Sequence, residues 1–464
     1  MGSNLVLLNL LNRVYPDRRD RYGFTILSRS RAIRAIKRCD DEAITRLLNT
    51  DVLQTLVSAK AILPLRIVRG NQDNYIFLVQ KRIRPAVVPS EWSPTMFADA
   101  ALLILHAEKT LYPYFMIVDD PHPWNVLFDE GKPYIIDMGA FNVVGTGLHW
   151  SAKLDDDIWP AGDVYNSLFL NAVALNAAGR SHFVRQALID MNPLSGTDTA
   201  LLLLKSPIIN FQFLFIRLQT FIFRRLWSLL LPVSSKKLKK ILKISYLTVL
   251  ERYVIRMRSS IVSRFSTFDT GSDMSASTAD LVRKFIDQQS SSRLLIYGAN
   301  SNSVDYIHKI SGISKLLVVS PDEVFIDKLH RSCLDNVTVA VMGVRSPTPG
   351  AGPGNRWIVP AIERFRSNIG VFFFNLDELV IQKCMTVSEL IQISLLMCKK
   401  GLIIFEKLPI YNSISGRNYG QTSDSVLLSL LELNIENFEI VNNDSSVLAV
   451  TFDSILFDNS SYVA

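Results

Sequence analysis

Residues 293–307 read RLLIYGANSNSVDYI, and this stretch decides the fold of the C-terminal part of the chain. A continuous apolar run ends at Gly298, a polar turn follows, and apolar residues then recur at helical spacing. The alternation continues through the runs KLLVVSP, VTVAVMG, IGVFFFNLDEL and LIIFEKLP, which begin at residues 315, 337, 369 and 402. Because such runs are typical of strands buried on both faces, the pattern predicts an α/β fold with a doubly wound parallel sheet.

The ends of these predicted strands are where we expect a binding site. Sheets of this kind bind ligands at the carboxyl ends of their parallel strands. Gly298, Ser320, Gly343 and Asn375 each end or follow one of the apolar runs. We therefore expect the loops that begin at these residues to share one edge of the sheet.

The remainder of the 464-residue chain is long enough for further domains. Residues 1–196 mix strand patterns such as YIFLVQKRI and PYIIDMG with the helical pattern PTMFADAALLILHAEKTL, which predicts an α+β domain. Residues 197–272 are helical in pattern and basic, and they form a predicted connecting region. The segment TFDTGSDMSASTAD is rich in Ser, Thr and Asp, which favours a linker before a domain of residues 273–464.

The formal net charge of +7 is concentrated in the helical region, where residues 205–264 contain one acid only. Arg217, Arg224 and Arg225 are expected on one stripe of an otherwise apolar helix. Their charges argue against a lipid-spanning helix. Two alternatives stay open, namely packing against neighbouring domains and peripheral contact of residues 211–262 with an anionic membrane.

The sequence lacks the signatures of nucleic-acid binding and of metal binding. No zinc-finger or helix-turn-helix pattern and no regular interleaving of basic and aromatic residues is present, so no specific nucleic-acid partner is expected. The cysteines, at positions 39, 333, 384 and 398, are far apart and form no CxxC pair. They favour reduced thiols in a cytoplasmic protein, and no metal site is predicted from them.

Residues 117–141, IVDDPHPWNVLFDEGKPYIIDMGAF, resemble the catalytic and metal-binding loops of protein kinases and aminoglycoside phosphotransferases. The resemblance implies that Asp120 accepts the proton of the acceptor hydroxyl and that Asn125 and Asp137 hold magnesium. No glycine-rich loop precedes Lys37, which is the lysine that could contact the phosphates. The alternatives are a small-molecule phosphotransferase that uses Mg-ATP and a truncated kinase-like domain without activity.

A wider resemblance runs from Pro89 onward. PSEWSPTMFADAALLILHAEKTL, VDDPHPWNVLF and KPYIIDMGAF, followed later by VRSPTPGAGPGNRW, resemble a family of bacterial S-adenosylmethionine (SAM)-dependent methyltransferases that includes nodulation host-specificity-like members. In that family a kinase-like segment precedes a helical stretch and a class I methyltransferase domain. The resemblance implies a Rossmann-like domain of the methyltransferase type at residues 273–464.

The methyltransferase resemblance also implies roles for individual residues. The cofactor SAM would be bound by Gly298, Asn300, Ser320, Asp322 and Asn375, with Ser320 at the position where the family pattern has an acid.

The base would be the carboxylate of Asp377 or Glu378. The expected acceptor is an oxygen or nitrogen of a small molecule or a glycan-type precursor. The alternative is a degenerate relative that serves as an interaction or scaffold protein. Either protein would be cytoplasmic, with peripheral binding at the inner membrane face under the membrane alternative.

Overall fold

The chain folds into two compact units, Met1–Ser266 and Thr267–Ala464, each with its own core. In this computed structural model the described residues are 19–20, 23–28, 30–37, 42–48, 50–69, 75–143, 157–190, 192–230, 236–266, 275–289, 293–298, 304, 307, 314–332, 334–345, 347–350, 359–375, 385–406, 438–443 and 447–454. The region predicted as a separate connection at 197–272 belongs, up to Ser266, to the first unit.

The first unit begins with a five-stranded antiparallel sheet. Its strands are β1 (Arg19–Asp20), β2 (Gly23–Leu27), β3 (Arg31–Lys37), β4 (Leu65–Arg69) and β5 (Tyr75–Lys81), and the helices α1 (Glu42–Leu47) and α2 (Thr50–Ser58) connect β3 to β4. The strands pair in the order β1-β2-β3-β5-β4. Alternate residues of β2, β3 and β5 form one apolar cluster, which includes Phe24, Ile33 and Phe77.

The rest of the first unit is built around helices. Its elements are α3 (Pro94–Leu111), β6 (Met116–Val118), β7 (Val126–Asp129), β8 (Lys132–Ile135), β9 (Phe141–Val143), α4 (Gly162–Tyr165), α5 (Asn171–Ala177), α6 (Ser181–Ile189), α7 (Gly196–Leu202), α8 (Pro207–Leu230) and α9 (Lys236–Ser266). The predicted helix PTMFADAALLILHAEKTL is α3, which begins with Pro94 because that position needs no backbone donor. Ser93 caps it by accepting from the Met96 N–H.

Helix α9 packs along α3, which supports the packing alternative for this part of the basic region. Three ion pairs join the two helices: Lys243–Glu108, Lys109–Glu251 and Arg258–Asp99. A part of the positive charge of the region is therefore neutralised within the unit.

The second unit is a seven-stranded sheet with helices. Its elements are α10 (Ala276–Asp287), β10 (Arg293–Tyr297), β11 (Lys315–Ser320), α11 (Glu323–Arg331), β12 (Val337–Val341), α12 (Ala361–Arg364), β13 (Ser367–Asn375), α13 (Val387–Met397), β14 (Cys398–Glu406), β15 (Phe438–Asn443) and β16 (Val447–Asp453). The strand order is β12-β11-β10-β13-β14-β16-β15. The predicted strands from β10 to β14 pair in parallel.

The sheet departs from the predicted parallel pairing at its far edge, where β16 runs antiparallel to both β14 and β15. Only a few residues separate β15 from β16, and a connection of that length joins antiparallel strands because a parallel pair needs a long crossover. Strand β14 begins at Cys398, directly after the last residue of α13.

Candidate functional site

Gly298 makes a sharp turn at the carboxyl end of β10. Its φ of +75° lies in the left-handed region, and its N–H donates to the Val319 carbonyl at 2.9 Å. A Cβ at this position would lie 2.3 Å from the Phe373 carbonyl oxygen. Only glycine combines this φ with so close an approach of the neighbouring strand, so the predicted turn is confirmed at this residue.

Ser320 ends the neighbouring strand and is buried. Its hydroxyl accepts from the Asp322 N–H at 3.2 Å. Oδ1 of Asp322 accepts from the N–H groups of Val324 and Phe325, at 2.9 and 3.1 Å, so this carboxylate is the N-cap of α11. An exposed carboxylate thus stands two residues beyond Ser320, with one oxygen engaged by the helix.

Strand pairing brings the other predicted positions to the same edge. Tyr297 pairs with Val319 on one side and with Phe372 on the other, so Gly298, Ser320 and the end of β13 are close along the carboxyl edge. Asn375, the last residue of β13, is half-buried.

The Tyr297 side chain is buried within the unit. Its hydroxyl donates to the Met342 carbonyl at 3.3 Å, and its ring lies 5.8 Å from that of Phe374. The structure therefore brings Gly298, Ser320, Asp322 and Asn375 together at one edge of the sheet. Asn300, Asp377 and Glu378 lie outside the described residues.

A second candidate site in the first unit contains Asp120 and Asn125. The Asn125 side-chain amide donates to the backbone carbonyl of Asp120 at 3.0 Å and to its Oδ2 at 2.9 Å. Between them, His122 Nδ1 accepts from the Trp124 N–H at 3.1 Å. Burial lowers the pKa of His122, while the nearby Asp120 carboxylate opposes the shift.

Asp137 follows the β7–β8 hairpin, as the sequence pattern predicts. Its Oδ1 accepts from the Gly139 N–H at 2.8 Å and lies 3.9 Å from the guanidinium of Arg34 on β3. Arg34 also donates to the Thr25 hydroxyl on β2 at 3.0 Å. Burial lowers the pKa of Arg34, with the Asp137 carboxylate acting against this shift.

Arg34, which lies beside Asp137, is not among the residues predicted from the sequence. The predicted lysine is Lys37, whose side chain lies outside the described part of the structure. In protein kinases the strand lysine follows Ala-Ile, and here both Arg34, after Ala32-Ile33, and Lys37, after Ala35-Ile36, occupy such a position. The spacing therefore does not distinguish the two residues, and it is the proximity to Asp137 that draws attention to Arg34.

The backbone just before Asp120 is hydrogen-bonded to a buried carboxylate. Glu108 on α3 accepts from the Val118 N–H through Oε2 at 2.6 Å, and its Oε1 lies 2.6 Å from Lys243 Nζ on α9. Glu108 is 0% exposed and Lys243 3%. Burial raises the pKa of Glu108, and Lys243 opposes this shift. Strand β6, which leads to Asp120, is thus anchored to two helices.

Within the ranges that the structure describes, no group of three or more His, Cys, Asp or Glu residues could hold a metal ion.

No protein-family model and no curated protein matches this chain. Among solved structures, it is similar to a SAM-dependent O-methyltransferase from Thermotoga maritima, with 11% identity and a TM-score of 0.27 over 40% of this chain and 68% of that one. It is also similar to the N-terminal domain of EvdMO1 with SAH bound, with 10% identity and a TM-score of 0.27 over 44% and 97%. Of the longer EvdMO1 chain, this chain spans about half, 47%.

A third similar structure is the Cydia pomonella granulovirus kinase PK-1. The identity is 12% and the TM-score 0.25, over 36% of this chain and 72% of that one.

Proposed function

We propose that residues 273–464 form a SAM-dependent methyltransferase domain that acts on a small-molecule or glycan-type acceptor. The observation that carries the proposal is the strand order β12-β11-β10-β13-β14-β16-β15 with β16 reversed, together with the left-handed turn at Gly298 after β10. Class I methyltransferases are built on this strand order, and they bind SAM at the carboxyl edge of the sheet.

The residues of this edge suit the cofactor in part. The turn at Gly298 brings backbone to the position where the amino acid end of SAM would lie, and Asn300 would extend it. Ser320 offers one hydroxyl where the family pattern has an acid, so Asp322 would use its second carboxylate oxygen for the ribose. Asn375 would contact the reacting end of the cofactor.

Bound SAM would supply an electrophilic methyl group. Asp377 or Glu378 would accept the proton that the hydroxyl or amine of the acceptor loses, because a carboxylate near the reacting atom is a suitable general base. The protein would further contribute by orienting acceptor and donor, which accounts for a large part of the rate in transfers between two bound molecules.

We propose no phosphoryl transfer by the first unit, although one observation favours a kinase-like fold. The sheet order β1-β2-β3-β5-β4, with helices between β3 and β4, is that of the N-terminal lobe of kinases, and Asp120, Asn125 and Asp137 follow in the corresponding order. The cation of Arg34, however, lies 3.9 Å from Asp137, the predicted magnesium ligand, and would compete with the metal there. A kinase-like unit without activity, serving as a scaffold, is therefore the second candidate function.

The test is calorimetric titration of the full chain with S-adenosylhomocysteine (SAH), the product form of the cofactor. We expect saturable binding that Asn375→Ala weakens about tenfold, as loss of one or two hydrogen bonds implies. Gln288→Ala is the matched control, because Gln288 lines a separate cavity of about 370 Å³ with Lys400 and Asp453, at the opposite edge of the same sheet. Absence of SAH binding by the folded wild type would remove the methyltransferase proposal.

The phosphotransferase alternative is tested in the same way with Mg-ATP. We expect no binding. Saturable binding that disappears in Asp137→Ala would restore magnesium-dependent phosphoryl transfer as the function of the first unit.

A further inference from the structure

Helix α8 is apolar on two opposite sides. One side packs into the first unit through Phe213, Ile216, Thr220 and Trp227, all of which are buried. These residues are spaced by three, four and seven positions, which places them on one face of a helix. The core of the unit thus uses one face of α8 only.

The opposite face is apolar and exposed along the whole helix. Its side chains are large, are 44–74% exposed and recur every three or four residues: Ile208, Phe211, Leu214, Phe215, Leu218, Phe221, Ile222, Leu226 and Leu229. A helix of this length is about 36 Å long. Scattered exposed leucines are ordinary, but a continuous apolar stripe of this size marks an interaction surface. We call these residues the α8 stripe.

Exposed apolar residues also flank the helix in the sequence. Before α8, Leu201 and Leu204 are 60% and 65% exposed, and after it Leu238 and Ile241 at the start of α9 are 48% and 53% exposed.

Positive charge accompanies the stripe. No acidic residue stands between Asp198 and Glu251 in the sequence. Lys237 and Lys240, next to the exposed apolar residues of α9, are exposed. Arg225 is exposed too, and its guanidinium lies 5.2 Å from the centre of the Phe221 ring.

The three arginines predicted on one stripe have different environments. Arg224 forms an ion pair with Asp163 at 2.7 Å and therefore belongs to the packing of the unit. Arg217 lies against Gly196, at the start of α7. Of the three, Arg225 lies within the exposed apolar face, against Phe221, so the α8 stripe contains one of the predicted basic residues.

We propose that the α8 stripe binds the surface of an anionic membrane, with the helix lying in the plane of the interface. The apolar side chains would enter the boundary between headgroups and acyl chains, and Arg225, Lys237 and Lys240 would contact the anionic headgroups. Among the described helices, none is long and apolar enough to cross a membrane.

Charge complementarity favours a membrane over a second copy of the chain. A symmetric dimer brings the same patch of each copy together, and these two positively charged patches would repel each other. An anionic lipid surface instead offers a negative charge to each of them and an apolar layer of sufficient depth.

The experiment is vesicle flotation of the full chain with phosphatidylcholine vesicles and with vesicles that also contain phosphatidylserine. We expect binding to the mixed vesicles and an about tenfold loss of binding in Leu218→Glu, because the carboxylate would enter the apolar layer in the middle of the stripe. Phe115→Glu is the matched control, since Phe115 is 59% exposed elsewhere in the same unit. This control should bind as the wild type does.

Two measurements test the role of charge. The double variant Lys237→Glu and Lys240→Glu should bind the mixed vesicles more weakly than the wild type. Raising the salt concentration from about 0.05 to about 0.5 M should also weaken binding of the wild type. Failure of the wild type to float with mixed vesicles, or equal flotation of wild type and Leu218→Glu, overturns the proposal. A dimer in lipid-free solution that Leu218→Glu dissociates also overturns it in favour of a second copy. All variants should retain the wild-type melting temperature, because the changed residues are exposed. They should also retain SAH binding, because the changed residues lie in the first unit and the proposed SAH site lies in the second.

Discussion

Two glycines, Gly298 and Gly131, have the same left-handed backbone conformation but differ in how closely other atoms approach them. Gly298 and Gly131 have φ values of +75° and +74°. A Cβ at Gly298 would meet the Phe373 carbonyl oxygen at 2.3 Å, whereas at Gly131, in the turn between β7 and β8, nothing lies within 4 Å. The residues thus share the cost of a left-handed conformation and differ in the space for a side chain.

Gly131→Ala should therefore cost about 1 kcal/mol, the ordinary penalty for a side chain at positive φ. Gly298→Ala should cost at least about 2 kcal/mol more, because the chain after β10 must move away from β13. Denaturant unfolding of each variant, followed by a probe in its own unit, measures both values. Equal losses of stability would show that the close approach to Phe373 contributes nothing.

The ion pair between Glu108 and Lys243 is the buried charge pair on which the loop before Asp120 depends. Lys243→Met should destabilise the first unit by about 3–5 kcal/mol, because it leaves the Glu108 carboxylate buried without its counter-charge. Adding Glu108→Gln should recover much of this loss, since the amide is neutral and its oxygen can still accept from the Val118 N–H. A double-mutant cycle of melting temperatures tests this, and a double variant as unstable as Lys243→Met contradicts it.

At the scale of the element, α13 is held at its start by reciprocal hydrogen bonds. Thr386 Oγ1 accepts from the Glu389 N–H at 3.1 Å, and Glu389 Oε2 accepts from the Thr386 N–H at 2.7 Å. The backbone hydrogen bond, and after it the bond from the Thr386 hydroxyl, lowers the pKa of Glu389. This capping box fixes the first turn of the helix.

The sign of the pH dependence follows from this shift. A carboxylate whose pKa is lower in the folded than in the unfolded protein stabilises the fold above the unfolded value, and this contribution is lost as the pH falls through the folded value. Between about pH 6 and pH 3, the melting temperature of the second unit should fall more in the wild type than in Glu389→Gln. Parallel curves for the two proteins would contradict the role of the charge, and Glu439→Gln, at another exposed carboxylate of the unit, is the control.

The elements also show how far the sequence predicts the fold. Continuous apolar runs predict β10 to β14 because burial on both faces leaves a pattern within each strand. The insertion of β16 between β14 and β15 is a matter of pairing between strands, and no local pattern in FEIVNN or VLAVTFD specifies it. The approach of Arg34 to Asp137 is likewise a contact between distant parts of the first unit, and no local pattern around either residue specifies it.

The exposed face of α8 marks a second limit of sequence patterns. FQFLFIRLQTFIFRRLWSLLL is apolar almost all round, so periodicity alone does not tell the buried face from the exposed one. The burial of Phe213, Ile216 and Trp227 makes that distinction. The opposite, exposed face then supplies the residues through which we propose that the helix contacts a membrane.

At the scale of the whole molecule, the two units, each with its own core, should unfold in separate transitions. A ligand stabilises the folded state that binds it, by about 2.7 kcal/mol at a concentration 100 times its dissociation constant. In scanning calorimetry, SAH should therefore raise the transition of the second unit, while Lys243→Met should lower only that of the first. If SAH and Lys243→Met both move one common transition, the units unfold together, and the first unit stabilises the second rather than serving as an independent scaffold. Gly131→Ala is the control for the first unit, because a Cβ at Gly131 meets no atom within 4 Å. It should lower the melting temperature of the first unit only slightly compared with Lys243→Met.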